Sequence, residues 1–211
     1  EAIRNILTSV KPAIAVTMEN RQYTGYYVGE DVIGTNRELI NTYDVNLFGE
    51  NKLVSAELMN LLEVMSKDKF FVRIKDNKLI FESDDCVIYG EEMEGIDTYN
   101  ASAISQIVKG VPASMIKVGR NELLRVLDRL SLFTTEYEGQ TVRLTVSEEN
   151  LQISSPSSTG IEMLEIVEGT NITPVTFLVN IIYLINELQV QSGDVMEMWY
   201  EQEAPSIKFI D

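Results

Sequence analysis

The feature that most constrains the fold of this chain is a unit that recurs along it. Residues 142–155 read VRLTVSEENLQISS: Val142, Leu144 and Val146 alternate with polar residues, Ser147–Asn150 interrupts, and Leu151 and Ile153 resume the alternation. A period of two on both sides of a short polar break predicts two half-buried strands joined by a tight turn. Residues 52–83, 116–155 and 175–211 all end this way. Each of the three opens with a short apolar run and then carries a helical block with apolar spacing of about 3.6. The blocks are marked by Leu58, Leu61, Leu62 and Met65; by Leu123, Leu124, Leu127 and Leu130; and by Ile181, Tyr183, Leu184 and Leu188. A partial fourth copy starts the chain, where AIRNILTSVKP reads as an amphipathic helix stopped by Pro12 and RQYTGYYVGEDVIGTN reads as a hairpin.

Copies about 60 residues apart predict an internally duplicated architecture. Pairing them gives an α+β protein of two tandem domains, each made of two strand–helix–hairpin units with paired helices on one face of a curved antiparallel sheet. The stretch Thr98–Ser114 is poor in charge and rich in small residues, with Gly110 and Pro112 breaking regular structure, and reads as the connection. The expected boundaries are residues 1–104 and 115–211, with a linker at 105–114.

Composition narrows the chemistry. There is no histidine among the 211 residues, which removes histidine bases, Ser-His and Cys-His nucleophile pairs and most zinc and iron sites. The single cysteine, Cys86, permits no internal disulfide and sits in the apolar run DDCVIYG, where it reads as a small buried hydrophobe. Asp84, Asp85, Glu91 and Glu92 flank that run as solvated charge, leaving a carboxylate-only Mg²⁺ site as the one metal option. No cofactor and no enzymatic activity are expected. No apolar run reaches the ~18 residues of a membrane span, and EAIRNILTSV has no signal-peptide pattern, so a soluble, cytoplasmic protein is expected.

The net charge of −16 argues against a whole surface that wraps nucleic acid, but allows a local basic face. Arg125 and Arg129 are four apart, on a stripe opposite Leu123, Leu127 and Leu130, and Arg120 begins the same helix. Arg4 and Lys11 align on the opening helix. These residues have two readings: a phosphate-facing surface, or an ordinary solvated face diluted by Glu122 and Asp128. The other two helical blocks are not basic, with Lys67 only at the end of the first.

The run NELLRVLDRLSLFTTEYEGQTVRLTVSEENLQISS resembles the start of the third domain of bacterial DNA polymerase III β subunits, the sliding clamps, where a D-L-L helix leads into V-R-L-x-V-S-E-x-x-L-x-I. EMLEIVEG and FLVNIIYLINELQ continue the resemblance. RQYTGYYVGEDVIGTN and KLVSAELMNLLEVM are similar to elements of that family's second domain. The likeness spans essentially the whole sequence, as a divergent member. It implies a first domain ahead of Glu1, a strand leading into the helix at Ala2, and a last strand with an M-P-M-R-L-like tail after Asp211.

The resemblance implies a non-enzymatic processivity factor. Such a ring holds double-stranded DNA topologically, lined by helices that touch phosphates weakly without reading sequence. Arg4, Lys11, Arg120, Arg125 and Arg129 become the expected DNA-facing residues. The expected partners are DNA, a homo-oligomeric ring, and a polymerase and clamp loader that dock short peptides in a pocket between the two domains. Carried over residue by residue, the pocket falls on Thr35, on Leu39 or Ile40, on Tyr23 or Thr24, and on Gln106 and Ile107. Within it Arg37 stands where the family's T-D-G-x-R-L has glycine. For Tyr23 and Ile107, plain core packing is the competing reading. A clamp-fold hub or decoy that does not encircle DNA is the alternative function.

Overall fold

The structure, a computed structural model, describes residues 2–16, 18–65, 69–75, 77–134, 140–155, 160–201 and 206–210. Lys67 lies outside the described residues. The chain divides into two compact units, Glu1–Lys109 and Gly110–Asp211.

The first unit runs α1 (Ala2–Val10), two 3₁₀ segments (Lys11–Ala13 and Met18–Thr24), β1 (Gly25–Val28), β2 (Val32–Thr35), β3 (Ile40–Tyr43), β4 (Lys52–Ser55) and α2 (Ala56–Met65). It continues with β5 (Phe71–Lys75), β6 (Lys78–Glu82), β7 (Val87–Glu91), a 3₁₀ turn (Ile96–Thr98) and α3 (Ala101–Lys109). Its strands form two antiparallel sheets, ordered β3-β2-β1-β4 and β5-β6-β7.

The second unit runs β8 (Ser114–Gly119), α4 (Arg120–Ser131), β9 (Thr141–Val146), β10 (Asn150–Ser154), β11 (Ile161–Glu165), β12 (Glu168–Thr170), β13 (Val175–Asn180), α5 (Ile181–Val190), β14 (Val195–Tyr200) and β15 (Ile207–Ile210). Its sheets are ordered β11-β10-β9-β13 and β12-β8-β14-β15. The curved sheet expected for each domain is thus two separate sheets in each unit.

The duplication is visible in the strand order. In both units a three-strand meander is joined, on the free side of its first strand, by a strand that runs straight into the second helix: β4 pairs β1 before α2, and β13 pairs β9 before α5. The helices of each unit pack on one another, α1 on α2 and α4 on α5. α4 buries Leu123, Val126, Leu127 and Leu130, the stripe its spacing predicts. These residues share one core cluster with Leu184 and Leu188 of α5, Val142 and Leu144 of β9, and Met196 and Met198 of β14. α5 begins at an N-cap: the Asn180 side-chain carbonyl accepts from the N–H groups of Ile182 and Tyr183, at 2.9 and 3.3 Å.

Four expectations are corrected. Thr98–Ser114 is not wholly a connection, because Ala101–Lys109 is a helix; Asn100 accepts from the Ala103 N–H, and Ile104 is buried. On α2, Leu61 and Met65 lie exposed beside Val64, so only Leu58, Met59 and Leu62 face the core. Cys86 is half-buried, with Sγ 3.3 Å from the Ser83 hydroxyl. Glu92 is not solvated charge: it pairs with Lys52 at 3.0 Å, and the two side chains keep only 11% and 14% of their exposure. β5 is the outer strand of its sheet and is exposed along nearly its whole length, with Phe71 at 74%.

Truncating Asn180→Ala should cost about 1 kcal/mol of stability, and Leu127→Ala about 2–5 kcal/mol. Urea unfolding followed by circular dichroism separates the two effects. Equal small losses would show that Leu127 is not enclosed as described.

Candidate peptide-docking and DNA-facing surfaces

In the first unit, a small cluster distinct from the main core forms where β2, β4 and α3 meet. Ile33, Leu53, Tyr99 and Ile104 are its buried residues, and Tyr23, Tyr27, Ile40 and Val108 pack on it from the outside. Tyr99 is central. Its ring stacks on Tyr27 with centroids 5.1 Å apart and meets Tyr23 at 5.5 Å and a 55° tilt. Its hydroxyl donates to the Ile33 carbonyl at 3.4 Å. The Arg37 guanidinium lies over the outer side of this ladder, 5.4 Å from the Tyr23 ring centre, within the ~6 Å reach of a cation–π interaction.

The turn joining β2 to β3 positions Arg37. Thr35 pairs with Ile40 across the hairpin, and its buried hydroxyl accepts from the Arg37 N–H at 3.0 Å. The Asn36 side chain accepts from the N–H groups of Glu38 and Leu39, at 3.0 and 2.8 Å. Arg37 itself takes φ = 80°, a left-handed conformation that favours glycine.

Of the residues carried over for the peptide pocket, Tyr23 and Ile40 thus lie on one cluster, with Thr35 and Leu39 in the adjoining strand end and turn. Thr24 turns back on its own segment, donating to the Arg21 carbonyl at 2.8 Å. Gln106 and Ile107 are on the exposed side of α3, Ile107 at 60% exposure, while Ile104 of the same helix is buried. Sequence reasoning missed Tyr99, placed in the supposed connection. The spacing of Ala101, Ile104 and Val108 after Asn100 was the signal for a packed helix there.

The basic residues separate into two kinds. Arg4 and Arg125 are exposed, and among the described residues neither side chain has an ion pair or hydrogen bond. Lys11 is exposed and donates to Asn60 of α2 at 3.2 Å. Arg4, Thr8 and Lys11 share one outward stripe of α1. The other two are engaged. Arg120 donates from Nε to the Leu188 carbonyl at 2.7 Å, closing the last turn of α5. Arg129 donates from Nε to Glu162 of β11 at 3.0 Å, a hydrogen bond that raises its pKa further. The exposed positions of α2 and α5 carry no Lys or Arg among the described residues.

Burial pushes the Tyr99 hydroxyl above its ordinary pKa of 10.0, with Tyr23 and Tyr27 adding to the shift. Folded Tyr99 therefore stays protonated at a pH where the unfolded chain ionises. Its contribution is intact below pH 10 and is lost as pH rises above it, at up to about 1.4 kcal/mol per pH unit. Tyr99→Phe should flatten the fall in stability measured by urea unfolding between about pH 9.5 and 11. An unchanged slope would show that Tyr99 does not carry it.

No family model matches the sequence, and no curated protein matches it. Solved structures do. The chain superposes on a DNA polymerase III subunit beta from Pseudomonas aeruginosa with a TM-score of 0.84 at 13% identity, covering 100% of this chain and 60% of that one. A putative DNA polymerase III beta subunit from Eubacterium rectale gives a TM-score of 0.83 at 15% identity, again with 100% and 60% covered. A DNA polymerase III subunit beta sliding clamp from Bartonella birtlesii, bound to griselimycin, gives 0.79 at 16% identity, with 95% and 58% covered. The chain thus spans about 60% of the length of these proteins. Its architecture of tandem units with paired helices and antiparallel sheets is the DNA-clamp fold of the bacterial DNA polymerase III beta subunits.

Proposed function

We propose that this chain is part of a DNA sliding clamp, a non-enzymatic processivity factor that encircles duplex DNA and tethers a polymerase and clamp loader through short peptides. The observation that carries the reading is the duplicated clamp architecture together with cations on the outward faces of its helices. Arg4 and Lys11 lie on α1 and Arg125 on α4, all exposed. A few cations of this kind suit sliding: each phosphate–cation pair is weak and exchangeable, and a closed ring needs no tight grip. An acidic body fits the same task, since a net charge of −16 discourages attachment outside the ring. The cluster around Tyr23 and Ile40 offers an apolar surface where a leucine- or phenylalanine-bearing peptide would dock.

A second reading, a clamp-fold hub that does not encircle DNA, is favoured by one specific finding. Arg120 and Arg129 are held by the Leu188 carbonyl and by Glu162, which leaves fewer cations for phosphate.

The two readings part on one experiment with the full-length protein and a clamp loader. The processivity reading expects retention on nicked circular DNA and loss once the circle is cut. Equal retention on both would sink it. Changing Arg4→Glu, Lys11→Glu and Arg125→Glu together should lower DNA affinity and reduce the slope of log K against log salt, by about 0.9 for each phosphate–cation pair that the substitutions abolish. A slope equal to that of wild type would remove these residues from the DNA face.

A further inference from the structure

Resting on the peptide-docking reading above, we propose that the surface around Tyr23 prefers peptides with a carboxylate beside their apolar anchors, and that Arg37 is the residue that selects it. A guanidinium is permanently charged and presents a planar fork of N–H donors matched to a carboxylate. Here it is placed by three independent interactions. The Thr35 hydroxyl holds its backbone N–H, Asn36 fixes the turn on its far side, and the Tyr23 ring supports the guanidinium from one face. Tyr23 is braced in turn by Tyr99 and Tyr27, so the charge rests on an aromatic ladder anchored in the fold. Stacking uses the face of the guanidinium, while its N–H donors lie in the plane, along the edge.

The backbone points the same way. At φ = 80° an L residue is disfavoured by roughly 1–2 kcal/mol, yet a long cationic side chain occupies the position. The apolar part of the surface is immediately adjacent: Tyr23 and Ile40 pack on the same cluster, and Ile40 ends the same turn. Charge complementarity makes the preference diagnostic. On a chain of net charge −16 the long-range field disfavours an anionic peptide. A preference for one therefore has to come from a local cation.

The test uses fluorescein-labelled QLDLF, QLSLF and QLKLF peptides, titrated at low salt into the wild-type protein and into Arg37→Gly and Arg37→Glu. Glycine suits the positive φ, so the first variant removes the charge without threatening the turn; circular dichroism and urea unfolding verify its fold. Wild type should bind the aspartate peptide about three- to five-fold more tightly than the serine peptide. Arg37→Gly should erase that ratio while leaving the serine peptide's Kd unchanged, and Arg37→Glu should shift the preference to the lysine peptide. An aspartate preference that survives in Arg37→Gly, or none in wild type, overturns the assignment and leaves peptide docking standing. Failure of all three peptides to bind wild type overturns both.

Discussion

The return of one strand in each unit organises everything else. β13 comes back to pair with β9 along six residues, from Val175 opposite Val146 to Asn180 opposite Thr141, and then becomes α5 without a break. β4 does the same against β1 before α2. Because a strand's side chains alternate, this register decides which residues of β9 and β13 face inward. It also fixes where the second helix starts, and so sets α5 beside α4 and α2 beside α1. The helix pairs are a consequence of strand pairing; among side chains, the core stripes then lock the arrangement. Slipping the register by one residue would turn Leu144 and Phe177 outward together, removing both from the cluster that α4 and α5 cover.

The charge on this fold is distributed by what each cation is asked to do. Arg120 and Arg129 sit on the helix whose sequence looks most basic, but one closes a helix end and the other ties α4 to an edge strand. Removing either would leave a carbonyl or carboxylate without its donor. Arg4, Lys11 and Arg125 bear no such duty beyond the single bond from Lys11 to Asn60, so their charge faces water. A linear sequence shows spacing and stripe; it does not show that Glu162, thirty-three residues along the chain from Arg129, folds back to meet it.

That difference describes what was legible in advance. The alternation of Val142, Leu144 and Val146 and the helical spacing of Leu123, Leu127 and Leu130 are local patterns, and the strands and helix they specify are present. Repetition of those patterns carried the duplicated architecture. Long-range outcomes were less readable. The burial of Lys52 and Glu92 as a pair depends on strands forty residues apart, so each looked like surface charge. Leu61 and Met65 fit an apolar helical spacing, but α2 is covered on one side only and leaves them exposed. At the candidate peptide surface, Tyr23, Thr35 and Ile40 could be named from a motif, whereas the aromatic ladder that joins Tyr23 to Tyr99 could not.

The exposed outer strand of the first unit has a further meaning for solubility. A sheet margin with free N–H and C=O groups invites a copy of itself, and Phe71, Val72 and Ile74 give β5 enough apolar character to accept the invitation. The residues between and beyond them oppose it. In an antiparallel self-match centred on Arg73, one guanidinium would oppose its twin and each Lys75 ammonium would oppose a phenyl ring. The strand with the least cover is therefore also the one whose charge pattern most penalises templated growth, so crowding at high concentration should be resisted at the place where fibrils would otherwise nucleate.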